Sequence, residues 1–314
     1  PMNACFIPLL ILTTFIVNIL VCLVLLKPQM RSTTNTILTT MAIADTLTGL
    51  SPIPCYLHFY TAGHYKDWVP YDWCYLYFCL IDFLPSIFHT TSIWLTVALA
   101  VQRYISVCHT SVARGLCNSR NACIAACCLF GVATLSHIGR FFEMDYTPYE
   151  IESRIGNVKY DGKREGHLAE YTYFTIYYFY RILFIHFIPC LTLIIINGLL
   201  LRTMRDGQSR RTKLLKMNRL SESRRLAEMN RTTLMLMVVV ALFLIVEFPS
   251  CMLFVILVIK NSLNFQQLIS ESSAEIATTV VNLCILLSYP MNFFIYCAMS
   301  NQFREEFVQL FVRR

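Results

Sequence analysis

Residues 232–259 read TTLMLMVVVALFLIVEFPSCMLFVILVI. A single formal charge, Glu247, interrupts the run. A helix rises about 1.5 Å per residue and a bilayer's hydrocarbon core is about 30 Å thick, so this stretch alone can cross a membrane. Six comparable runs flank it, and together the spans are expected at about 6–26, 37–60, 76–107, 121–139, 172–201, 232–259 and 276–300. The expected fold class is therefore an all-α membrane protein, a seven-transmembrane helix bundle forming a single domain over residues 1–314. Within the hydrocarbon stretches of these spans, with Arg103 counted at the inner end of the third, the formal charges are Asp45, Asp82, Arg181 and Glu247.

Composition agrees. Of 314 residues, 56% are hydrophobic and 14% charged, against about 25% charged in soluble domains. That excludes a soluble enzyme and leaves too little charge for disorder or a nucleic-acid partner. No internal repeat supports an inverted-repeat transporter. No signal-peptide pattern precedes the first span, and the chain opens on Pro1, so a preceding outer segment is expected.

Orientation follows from Lys and Arg in the loops. Lys27 and Arg31 lie in the first loop, three basic residues including Arg103 around the third, ten in 202–231, and Arg304, Arg313 and Arg314 in the tail, or eighteen on that side. The opposite side holds seven: Lys66, Arg140, Arg154, Lys159, Lys163, Arg164 and Lys260. The N-terminus is thus expected outside and the C-terminus in the cytoplasm. The net charge of +7 divides into +13 inside, −4 outside and −2 within the spans. Leu214, Leu215 and Leu220 suggest that spans five and six extend as helices into the basic loop, which suits anionic lipid. Asn230-Arg231-Thr232 is a glycosylation sequon on the cytoplasmic side and is read as silent.

Most of the 14 cysteines lie in spans, where a thiol behaves as a small hydrophobe. Cys74 is at the outer edge of span three, with Cys5 and Cys79 as the nearby candidates for a bridge, and sequence leaves open whether either pairs. The outer loop 139–171 has no Cys.

Local motifs narrow the class. Span three ends Gln102-Arg103-Tyr104, span two carries Ala42-Ile43-Ala44-Asp45, span one carries Asn18, and span seven reads Asn292-Phe293-Phe294-Ile295-Tyr296. With Pro189 and Pro249 in spans five and six, these resemble the ordered motifs of rhodopsin-like G-protein-coupled receptors. The stretches Phe88 to Tyr104, Val246-Glu247-Phe248-Pro249, Ser288 to Phe293 and Met299 to Glu305 are similar to the invertebrate sex peptide receptor and myoinhibitory peptide receptor family. The resemblance implies a short amphipathic cytoplasmic helix at about 301–312 after span seven. It implies a cell-surface receptor in the plasma membrane for a short amidated neuropeptide. It implies coupling to heterotrimeric G proteins, chiefly the inhibitory class, arrestin as a further cytoplasmic partner, contact with membrane lipids, and no cofactor.

The resemblance also assigns residues. Gln102, Arg103, Tyr104, Asn292 and Tyr296 would form the activation switch and G-protein contact, with Ile93, Pro189 and Phe243 as the core connector. Gln102 cannot pair ionically with Arg103, so a weak inactive lock and basal activity are expected. Asp45, Ser92, Ser288 and Asn292 offer oxygens for sodium; a water-filled polar network without an ion is the alternative. Asp82, Ser86, His89, Arg181, His186, Glu247, Phe254 and Asn282 are the expected ligand contacts. Asp82, Ser86 and His89 recur at i, i+4 and i+7, the spacing of one helix face. The acidic outer loop (Glu143, Asp145, Glu150, Glu152, Asp161, Glu165, Glu170) would attract a basic peptide, or is simply solvated.

The chain also departs from the rhodopsin-like pattern. The second-loop cysteine and the span-four Trp are absent, span five has Asn197 for the usual Tyr, and Glu247 stands where the pivoting Trp is usual. Glu247 with His89 and His186 is expected to form a polar hinge in its place; a neutral Glu bonded to one neighbour or to water is the alternative. Zinc at this set lacks a supporting local His spacing. An opsin is excluded because 276–300 has no Lys. An amine receptor would need an Asp where Pro85 stands, with Asp82 nearly a turn further out.

Overall fold

The computed structural model describes residues 5–64, 69–143, 176–217, 219–262 and 270–312. The acidic and basic residues of 144–175 lie outside the described residues, as do Lys66, Arg313 and Arg314.

The described chain is helical. α1 is Ile7–Leu25 and α2 is Thr33–Leu50. α3 covers 74–108, a short helix Thr110–Leu116 follows on the inner side, and α4 is Ser119–Glu143. α5 covers 176–216, α6 is Leu220–Ser262, α7 is Glu271–Met299 and α8 is Asn301–Val312. Among the described residues six helices are long and apolar enough to cross a membrane: α1 and α3 to α7. The 202–231 segment is not a loop, because α5 runs to Lys216 and α6 begins at Leu220. Gly207 of one extension lies against Asn230 of the other.

α2 packs most extensively on α3 and α1. It falls short on hydropathy because it is rich in threonine. Those hydroxyls donate to carbonyls one turn back: Thr39 to Asn35, Thr40 to Thr36, Thr46 to Ala42 and Thr48 to Ala44. A hydroxyl satisfied within its own helix carries less of the polar cost that a hydropathy scale assigns it. Ser32 caps α2 by accepting from the Asn35 N–H, and Ser270 caps α7 likewise from Ser273.

Beside a smaller cluster of Val97, Ala100, Leu193 and Val240, the largest apolar core lies in the inner half of the bundle. Val24, Leu38, Leu95, Leu99, Leu236 and Phe303 are nearly inaccessible there, joining α1, α2, α3, α6 and α8. Burial of such side chains contributes about 1.5–3 kcal/mol each. In the outer half the helices are less regular. π-helical turns occupy Tyr56–Thr61, Cys79–Phe83 and Arg181–Phe187, and Pro249 and Pro290 sit inside α6 and α7. A wide turn or a proline shifts the phase of a helix face and frees a carbonyl. These irregularities surround the site described next.

All 14 cysteines carry free thiols in this structure. Cys74 is buried and its thiol faces the Pro70 carbonyl at 3.4 Å.

Candidate functional site

Glu247 is buried on α6, in the last turn before Pro249. Its Oε2 lies 3.1 Å from His186 Nδ1 on α5, and its Oε1 lies 3.2 Å from His89 Nε2 on α3. The second contact is at ion-pair distance without hydrogen-bond alignment. On its other side, His89 Nδ1 shares a 3.0 Å hydrogen bond with the Tyr289 hydroxyl of α7. One polar chain, Tyr289–His89–Glu247–His186, therefore crosses four helices. A lone carboxylate here would be strongly disfavoured, and two imidazoles at its two oxygens supply partners and somewhere for charge or a proton to go.

Above this chain, Phe254 follows Glu247 by two helical turns on the same face. His186 stacks on its ring at 5.2 Å between centroids, and the Arg181 guanidinium carbon lies 4.7 Å from the ring centre. The π-helical turn Arg181–Phe187 brings Arg181 and His186 to that one ring. Asn282 is exposed and touches none of these groups, though it lies two turns outward from Tyr289 on the same face of α7. Ser86 is half-buried and makes no hydrogen bond among the described residues. Asp82 sits in the π-helical turn Cys79–Phe83 rather than in regular helix. It pairs with Arg140 of α4 at 2.7 Å, and Arg140 also lies over the Phe78 and Tyr177 rings. Asp82 is thus directed at α4.

Beneath Glu247 is a cavity of about 30 Å³, lined by His89 and Glu247 toward the outside and by Asp45, Ser92, Ser288 and Asn292 toward the inside. That is room for about two water molecules or one small cation. Ser92 donates to Asp45 Oδ1 at 2.6 Å, whereas Ser288 donates to the Ile285 carbonyl. Both hydroxyl oxygens keep lone pairs for a cation, so the donor set fits a hard monovalent ion as well as water. Ile93 and Phe243 wall the same cavity. Pro189 is buried one turn inward of His186.

At the inner end, Gln102 accepts from the Thr34 hydroxyl at 3.2 Å and donates to Ser106 at 3.0 Å. Arg103 beside it makes no hydrogen bond or ion pair with any described residue, and its Nε is buried without a partner. Tyr104 meets His109 edge to face. Tyr296 is buried against Phe303, and Phe293, in the proline position of the resembled motif, packs on Phe303 and Phe307 of α8. Lys27 ties α8 to the end of α1 through Glu306 at 3.0 Å.

Sequence reasoning missed two polar contacts. Tyr289 completes the Glu247 chain, and its only signal was a hydroxyl within Ser288-Tyr289-Pro290. His137 of α4 is buried between the Thr90 hydroxyl (2.9 Å) and the Tyr177 hydroxyl (3.2 Å). A histidine inside a span is itself a flag, and His137 should have been weighed on that ground.

The six apolar helices, with a polar chain buried among them, define a polytopic membrane protein. The chain belongs to the G-protein-coupled receptor family: the family described as "Serpentine type 7TM GPCR chemoreceptor Srw" matches residues 6–314. Among curated proteins it is similar to the "Sex peptide receptor" of Drosophila melanogaster, 38% identical over 98% of this chain and 72% of the relative. It is also similar to the "Sex peptide receptor-related protein 2" of Caenorhabditis elegans, 34% identical over 97% of this chain and 70% of the relative. The "FMRFamide receptor" of Drosophila melanogaster is 30% identical over 95% of this chain and 51% of its own length.

Proposed function

We propose that this chain is a plasma-membrane receptor for a short amidated neuropeptide, with its N-terminus outside, signalling through heterotrimeric G proteins of the inhibitory class. The observation that carries the reading is the column Arg181–Phe254–His186–Glu247, an aromatic and cationic wall over a buried polar floor, in a chain whose relatives are named as peptide receptors. Aromatic faces and a guanidinium suit aromatic and carbonyl groups of a peptide. A biogenic amine needs an unpaired carboxylate, and Asp82 is paired with Arg140 while Glu247 faces two histidines.

In this reading α2 is the seventh crossing. Its 18 residues span about 27 Å as helix, its threonines are internally bonded, and residues 53–61 continue outward. The helix α8 lies along the cytoplasmic lipid surface, with Phe303 turned into the bundle and Phe311 exposed. Arg103, Gln102, Tyr104, Asn292 and Tyr296 form the switch that admits a G protein and then arrestin. Sodium at Asp45, Ser92, Ser288 and Asn292 holds the inactive arrangement.

The test is a screen of amidated neuropeptides and biogenic amines on cells expressing the chain, reading calcium through a promiscuous G protein and cyclic AMP alongside. A saturable peptide response with a fall in cyclic AMP is expected. A response to an amine with none to any peptide overturns the reading.

A further inference from the structure

Among the described residues that line the outer site, Arg181 has no counter-charge. Both Glu247 oxygens face histidines, Asp82 faces Arg140, and Asp45 lies below, bonded to Ser92. Arg181 makes no ion pair with any described residue, and its close contact is the Phe254 ring at 4.7 Å. Its Nε is buried without a hydrogen-bond partner. At the same ring, the buried His186 directs Nδ1 to Glu247 and leaves its Nε2 unpartnered. A guanidinium carries five N–H donors in a planar fork and no acceptor. Contact with an aromatic ring orients that fork but satisfies none of its donors. A cation inside a membrane span is costly unless a cavity or partner receives it.

We infer that Arg181, held over Phe254, is the subsite that takes a planar hydrogen-bond acceptor of the ligand, a carbonyl or carboxylate. This rests on the peptide-receptor reading and names the group such a peptide presents to the floor of its site. The acceptor comes from the peptide's C-terminal carboxamide or carboxylate, or from an acidic side chain. The fork binds either bidentately or through two of its N–H groups. A ligand cation is disfavoured at this position, since it would meet a guanidinium that has no ion-pair partner among the described residues.

The experiment uses the full chain in cells and one peptide agonist in four versions: C-terminal carboxamide, C-terminal carboxylate, terminal carbonyl removed, and acidic side chains replaced by alanine. Each is titrated on wild type, Arg181→Gln and Arg181→Lys, with cell-surface labelling to match receptor number. Losing a hydrogen bond to a charged group lowers potency by about 10- to 100-fold, and that loss is expected for Arg181→Gln with the parent peptide. Arg181→Lys keeps the charge without the fork and is expected to fall between. The version that lacks the acceptor is already weak on wild type and loses nothing further in Arg181→Gln; which version this is identifies the source. Equal potency of every version on wild type and Arg181→Gln at matched surface number overturns the inference while leaving the peptide reading intact. Activation by an amine that Arg181→Gln enhances overturns both.

Discussion

Glu247 of α6 and His186 of α5 face each other at 3.1 Å inside the membrane-spanning part of the bundle. Glu247 also meets His89 of α3, so one carboxylate ties together the helices that enclose the outer site. Any rearrangement that moves α6 relative to α3 and α5 must break or re-form these contacts, which is what gives a packed core two discrete states rather than a continuum.

Glu247→Gln keeps the shape and removes the charge. A protonated His89 holds the carboxylate more tightly, so in wild type agonist potency is expected to fall as pH drops from 8 to 6. In Glu247→Gln that pH dependence flattens and ligand-free signal rises several-fold. Dose-response curves across the pH series check this; an unchanged profile in the variant removes the hinge from the account. Glu247→Ala leaves the buried His186 without its hydrogen-bond acceptor and His89 without its ion-pair partner, and is expected to cost about 3 kcal/mol, read as a lower unfolding temperature in detergent.

Gln102 is engaged with Thr34 and Ser106, and Arg103 is unpaired. Gln102→Asp supplies a carboxylate next to that guanidinium. Ligand-free cyclic AMP suppression is expected to weaken several-fold at equal surface expression. No drop in basal signal contradicts the weak-lock reading.

Asp45→Asn removes the charge at the inner end of the cavity. Sodium is expected to lower agonist affinity several-fold in wild-type membranes and to have no effect in Asp45→Asn. Agonist competition in sodium against a bulky organic cation reads the difference. Equal sodium sensitivity leaves the cavity as a water site.

The tether of α8 separates packing from charge. Lys27–Glu306 is part-exposed, so Glu306→Gln is expected to cost under about 1 kcal/mol. Phe303 is almost wholly buried among Phe293, Tyr296 and Phe307, and Phe303→Ala is expected to cost about 3–5 kcal/mol. Thermal unfolding of the two variants ranks them; the reverse order contradicts the packing described here.

Much of this architecture was legible in residues because membrane crossing is a one-dimensional constraint. A run such as 232–259 must be helical to satisfy its own backbone, and counting Lys and Arg gives an expected orientation. Glu247, His89 and His186 could be drawn together only through the resemblance to rhodopsin-like receptors, with Pro249 and Pro189 as its landmarks in α6 and α5. Asp82 shows the limit. Spacing alone put it on one face with Ser86 and His89, but the π-helical turn Cys79–Phe83 lies there and Asp82 meets Arg140 on a different helix. No pattern in a single sequence marks a five-residue turn. His137 and Tyr289 were missed for a related reason: a lone polar residue in a span announces a partner but not which helix carries it. The helical extensions of α5 and α6 were legible from Leu214, Leu215 and Leu220, although hydropathy alone would end both spans earlier.

The most direct test of the account is nucleotide exchange on an inhibitory-class heterotrimer reconstituted with membranes containing this chain. An amidated neuropeptide is expected to raise exchange saturably, and Arg103→Ala is expected to abolish the rise while peptide binding persists. Exchange driven by a biogenic amine, with no response to any peptide at saturating concentration, would contradict it.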